Sequence, residues 1–183
     1  MQIRVDNLHK GPRQVVFNEP VTGIPALVAS QEQDEVVFKG EVAGRLDISL
    51  TGGTVRVEGR ASVRAAMVCS RCLAQIERVL EVPLSICYQK VDENRREEPL
   101  PEDMELTLRE MELIPFQGEV IDPTPEIAQE IIMALPQSAL CREDCAGLCP
   151  VCGKDLNQQD CGCEKPTFHA GLALLKDFKV DRD

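Results

Sequence analysis

Eight of the nine cysteines in this 183-residue chain fall into four close pairs: Cys69 with Cys72, Cys141 with Cys145, Cys149 with Cys152, and Cys161 with Cys163. This grouping constrains the fold more than any other feature. Two thiolates three residues apart grip one ion only if the chain turns between them, and a four-ligand site requires two such pairs to meet. The opening MQIRVDNLHK has no apolar core of a signal peptide. A cytoplasmic location is therefore expected, where a disulfide scaffold does not persist.

The stretch Cys149-Pro150-Val151-Cys152-Gly153 reads as a metal knuckle, with Gly153 free to take the positive φ that the turn needs. Cys161-Gly162-Cys163 supplies a second pair after an eight-residue spacer. Four soft thiolates favour zinc, with iron as the alternative. Cys69-Ser70-Arg71-Cys72 is another pair at knuckle spacing. The economical partition joins it to Cys141 and Cys145, clipping the chain across almost seventy residues. Two structural zinc ions are then expected, although Cys145 could instead belong with Cys149 and Cys152. Cys87, within Leu84-Ser85-Ile86-Cys87-Tyr88, reads as a small buried hydrophobe.

Catalytic zinc needs an open coordination position and usually histidine or carboxylate ligands. The only histidines, His9 and His169, lie in no metalloprotease or deaminase pattern. Closed structural sites in a non-enzymatic protein are the expectation, with no small-molecule substrate. The alternative is a thiol-based redox protein using Cys69 and Cys72, but no strand–helix unit surrounds that pair as a thioredoxin-like site requires.

Hydrophobic periodicity outlines an α+β chain. Residues 1–31 read as an irregular start with one short strand near 14–17. An apolar run over 35–50 ends at Thr51-Gly52-Gly53, a hairpin signal. Val55, Val57, Gly59, Ala61, Val63 and Ala65 then alternate with polar residues, which marks a half-buried strand. A further strand over 76–89 returns from the Cys69/Cys72 knuckle, placing it at a hairpin tip. These long strands predict a twisted antiparallel sheet or one curled into an open barrel. The expected organisation is a β body over 1–90, an acidic connector over 91–120, and a helical, cysteine-rich segment over 121–183. Within the connector, 104–108 reads as a weak strand. Asp122 or Thr124 can cap a helix with Pro125 in its first turn, and Ile127, Ile131, Ile132 and Leu135 form its apolar face before Pro136. A last short helix is expected over 170–178, with Leu172, Leu175 and Phe178 inward.

No apolar run reaches the length of a membrane span, so no membrane association is expected. The net charge of −11 argues at first against nucleic acid. Its distribution changes that argument. Residues 91–130 hold 13 acidic and 3 basic side chains, whereas residues 54–90 hold 6 basic and 3 acidic. Arg56, Arg60 and Arg64 recur every four residues, so on a strand they share one face about 13 Å apart. With Arg71 at the knuckle, they are candidate phosphate contacts. Arginine is also an ordinary choice for a strand's polar face. The acidic stretch suits a basic partner or simple solvation.

Cys69-Ser-Arg-Cys72-Leu73, the segment from Leu140 through Cys141, Cys145, Gly147, Leu148, Cys149, Pro150 and Cys152 to Gly153, Leu156-Asn157 and Cys161-Gly-Cys163 together resemble the YceD family of large ribosomal RNA subunit accumulation proteins. The helix ending Glu130 to Pro136 is similar as well. The resemblance runs over about residues 35–180. It implies a non-enzymatic cytoplasmic factor needed for 23S ribosomal RNA accumulation, with pre-ribosomal RNA or a large-subunit ribosomal protein as partner.

Overall fold

The computed structural model describes residues 1–33, 36–91 and 113–164. The first strand, β1 (Ile3–Arg4), is followed by a 3-10 turn and β2 (Arg13–Pro20). A second 3-10 turn leads into helix α1 (Pro25–Gln33). Three long strands come next: β3 (Val37–Thr51), β4 (Thr54–Val68) and β5 (Gln75–Lys90). β6 (Leu113–Phe116), β7 (Val120–Ile121) and helix α2 (Thr124–Met133) complete the elements.

β2 to β6 form one five-stranded sheet in sequence order, and β1 pairs with β7 in a separate two-stranded sheet. The three long strands are antiparallel, as their turns require. Gly52 and Gly53 both take positive φ, 59° and 84°, the geometry of the tight hairpin between β3 and β4. Period-two alternation puts Val55, Val57, Ala61, Val63, Ala65 and Met67 on the buried face of β4. Two glycines on that face permit close approach. A Cβ on Gly59 would lie 2.0 Å from the carbonyl oxygen of Arg45, and one on Gly44 would lie 2.5 Å from the Phe17 ring.

The covered face meets α1 and α2, which touch each other as well as the sheet. Ile127, Ala128 and Ile131 are buried, while Ile132 and Leu135 are only half-buried at the margin. Fully burying one such Ile or Leu contributes about 1.5–3 kcal/mol. Neither Asp122 nor Thr124 caps α2, whose N-cap is Pro123 without a side-chain cap bond, although Asp122 accepts the Thr124 amide from one position further back at 3.0 Å.

Three further expectations need correction. The sheet is open, not a barrel: among the described residues β2 and β6 end it without pairing to each other. The helices α1 and α2 cover the apolar face that a closed barrel would turn inward. The sheet is not wholly antiparallel, because β6 runs parallel to β5 with Cys87 opposite Leu113. Finally, the N-terminal region holds α1. Its signal is weak because, among its described side chains, Leu27 alone is fully buried and the helix has almost no apolar stripe. The strand expected over 104–108 and the helix over 170–178 lie outside the described residues. Of the expected connector, the described part after residue 112 forms β6 and reaches into β7.

Candidate metal centres

β4 and β5 meet in a tight turn that carries Cys69 and Cys72 at the far tip of the hairpin. The Cys69 amide donates to the Ala74 carbonyl at 2.9 Å, and the Leu73 amide donates back to the Cys69 carbonyl at 2.9 Å. The second knuckle repeats this wiring. Cys149 donates to Lys154 at 2.8 Å, and Gly153 donates to Cys149 at 2.9 Å. Gly153 has φ 72°, and Leu73 at the matching position has φ 61°. The first knuckle thus forms without the glycine that marks the second, at a cost of about 1–2 kcal/mol.

The segment after α2 closes over the hairpin tip. Ser70 donates its amide to the Ala139 carbonyl at 2.8 Å, and the Arg78 guanidinium donates to the Leu140 carbonyl at 2.5 Å. Arg71 donates to the carbonyls of Cys145, at 2.9 Å, and Glu143, at 3.3 Å. Its own carbonyl accepts from the Leu148 amide at 3.1 Å. These bonds deliver Cys141 and Cys145 to Cys69 and Cys72. The Cys69 and Cys145 sulfurs lie 3.8 Å apart, and those of Cys72 and Cys141 lie 3.7 Å apart.

The structure therefore gathers two sets of four thiols, Cys69/Cys72/Cys141/Cys145 and Cys149/Cys152/Cys161/Cys163, with all sulfurs of a set within 4.8 Å of one another. Cys145 falls in the first set. Tetrahedral zinc with bonds of about 2.3 Å needs sulfurs about 3.8 Å apart, so the donor set and spacing fit such an ion. All nine cysteines are free thiols. The first set is mostly buried, whereas Cys152 is exposed and Cys161 and Cys163 are half-buried.

Backbone amides favour the thiolate form of the first cysteine in each knuckle. Those of Cys72, Cys141 and Arg71 lower the Cys69 thiol to about 6. Those of Cys152 and Val151 lower Cys149 to about 6 as well. Other members move the opposite way, because crowded thiols cannot all ionise without a cation. Burial and the neighbouring thiols push Cys141 up to about 12. Hydrogen bonds with Cys152 and Cys161, aided by burial, push Cys163 up to about 12.

The family profile described as "Large ribosomal RNA subunit accumulation protein YceD" matches residues 57–179, which include both thiol sets. The chain belongs to the YceD family. Among curated relatives, uncharacterized proteins of Mycobacterium bovis and Mycobacterium tuberculosis are each 34% identical over 106 residues. That match covers 56% of this chain and 45% of the relative, so the chain aligns with less than half of each relative's length. No solved structure matches it.

The candidate contact arginines of this YceD-family chain divide into two groups. Arg56, Arg60 and Arg64 are exposed on the outer face of β4. Sheet register adds two cations that strand periodicity in β4 could not reveal: Arg45 lies opposite Arg60, and Lys39 lies opposite Arg64. Acidic side chains interleave with them. Arg56 pairs with Glu58 at 3.4 Å, and Lys39 pairs with Glu77. Among the described residues Arg45, Arg60 and Arg64 form no ion pair. Arg71 differs, since its guanidinium is committed to the Cys145 and Glu143 carbonyls. Cys87 corrects its reading as a buried hydrophobe. It is half-buried opposite Arg56 on the outer face, because Ile86 and Tyr88 on either side point inward. No helix among the described residues is long and apolar enough to cross a membrane.

Proposed function

We propose that the chain is a non-catalytic, zinc-stapled interaction module that supports 23S ribosomal RNA accumulation and large-subunit biogenesis in the cytoplasm. One observation carries the reading: a family member gathers eight thiols into two four-sulfur sets, one of which clamps the hairpin tip to the segment after α2. Zinc in such a set supplies four strong bonds and no redox chemistry. With all four positions taken by sulfur, no place remains for a substrate. The ion then acts as a cross-link between elements.

The clamped sheet presents Arg45, Arg56, Arg60 and Arg64 on a face that no helix among the described residues covers, where they would meet phosphates of pre-ribosomal RNA. The acidic stretch over 91–130 would suit a basic large-subunit ribosomal protein. Purified chain should hold two zinc ions, and Cys69→Ser with Cys72→Ser should leave one. Loss of both ions, or of neither, would reject this partition. RNA binding should weaken steeply with salt and disappear when Arg56, Arg60 and Arg64 become Glu. Salt-insensitive association, or association with protein alone, would remove RNA as the direct partner.

The thiol-redox reading draws on the lowered Cys69 thiol. Against it, Cys69 is 0% exposed, and a redox nucleophile needs access. Rapid alkylation of Cys69 in metal-loaded protein would revive it.

A further inference from the structure

Asn157 lies in the spacer between Cys152 and Cys161, yet its side chain reaches the other thiol set. Its Nδ2 donates to the Cys145 Sγ at 3.4 Å and to the Asp155 Oδ1 at 2.6 Å. Its Oδ1 accepts from the Ala146 amide at 2.8 Å and from the Arg142 guanidinium at 2.8 Å. Two donors on one side and two acceptors on the other allow a single orientation of the amide. Asp155 Oδ1 also accepts the Asn157 backbone amide at 2.9 Å, which fixes the turn.

The surrounding backbone ties the spacer to the strip between the two sets. Leu156 donates to the Gly147 carbonyl at 2.9 Å, and Leu148 bridges Asp155. Leu148 in turn donates to Arg71 within the first knuckle. Gly147 has φ 75°, and a Cβ there would lie 3.1 Å from the Arg71 carbonyl oxygen, so the strip passes close against the knuckle. Whatever orders the 153–160 spacer therefore also orders Asn157, and Asn157 orients one sulfur of the distant set.

We propose that Asn157 is a positioning residue through which the Cys149/Cys152/Cys161/Cys163 site and the Cys69/Cys72/Cys141/Cys145 site bind their metals as a coupled pair. The inference rests on the metal-binding reading above. An ion at the spacer site closes the 153–160 turn and spends the ordering entropy of Asn157 in advance. The first site then meets a Cys145 sulfur already oriented and hydrogen-bonded. Partners in the second coordination layer change metal affinity about 10- to 100-fold when removed. Linkage makes the effect reciprocal, so each ion strengthens the other by the same factor.

The test is chelator competition on the full chain with zinc, paired with cadmium NMR, which resolves the two sites as separate signals. Asn157→Asp combined with Asp155→Asn keeps an acceptor for Ala146 and Arg142 and keeps an amide–carboxylate pair within the turn. It exchanges the donor to Cys145 for a carboxylate oxygen and also gives up the Asp155 acceptor of Gln158. That double variant should shift the signal of the Cys145 site and weaken its affinity about 10- to 100-fold, with the spacer site still able to fill. Emptying the spacer site by Cys161→Ser with Cys163→Ser should weaken the Cys145 site by a similar factor. Unchanged affinity of the Cys145 site in both variants would overturn the coupling while leaving two metal sites in place. A wild-type chain that binds no zinc would overturn the metal reading itself, and the coupling with it.

Discussion

The two thiol sets share one donor chemistry and one knuckle pattern, yet they occupy different places in the fold. The Cys69 set joins a hairpin tip to a segment about seventy residues later, with Cys69 0% and Cys145 3% exposed. The Cys149 set closes within fifteen residues and leaves Cys152 in solvent. Ligand chemistry sets the strength of each bond, but sequence separation sets what the bond constrains. Metal in the first set would restrict a long loop in the unfolded chain, whereas metal in the second would order one local turn.

The largest expected effect comes from breaking the long-range site. Cys69→Ser with Cys72→Ser should destabilise the metal-loaded chain by about 4 kcal/mol, the loop-closure term for a cross-link of this span. Denaturant unfolding measures it, and a loss comparable to that of the local site would erase the contrast. Proton competition should rank next and treat the sites alike. Cys141 and Cys163, both pushed up to about 12, keep their protons in the metal-free chain at neutral pH and must lose them to bind. Affinity should therefore rise with pH, by about tenfold per pH unit for each proton released. Zinc titrations at pH 6 and pH 8 check this, and one site losing affinity far faster would show that the chemistries differ.

Emptying the local site by Cys161→Ser with Cys163→Ser should cost about 1–3 kcal/mol at limiting zinc, transmitted through the weakened first site. Excess zinc should recover most of that loss, and thermal melts at two zinc concentrations would reveal it. The smallest effect concerns the turn residue that distinguishes the knuckles. Leu73 is 62% exposed at φ 61°, where the other knuckle has Gly153. Leu73→Gly should stabilise the chain by about 0.5–1 kcal/mol, since relief of the left-handed strain outweighs glycine's extra entropy. A destabilised variant would mean that the Leu73 side chain contributes more than its exposure suggests.

Much of the candidate site was legible because its signals are local. Spacing marked the knuckles, alternation marked β4, and Gly52-Gly53 marked the turn that starts it. Cys87 was misread because the apolar character of its run outweighed its parity within the alternation. Helix α1 was missed because one buried leucine makes no stripe. Arg71 looked like a surface cation, and only the path of residues 143–148 turns its guanidinium toward backbone carbonyls.

By itself, the sequence determined the donor chemistry, the long strands and the location of the basic stripe. Each depends on residues within a few positions of one another. Tertiary structure alone decided that Cys145 joins Cys69 rather than Cys149, that β6 joins in parallel beside β5, that Arg45 stands opposite Arg60, and that Asn157 serves a cysteine outside its own loop. The physical reason is common to all four. Register and chain path bring together groups whose separation in sequence carries no information about their distance in space.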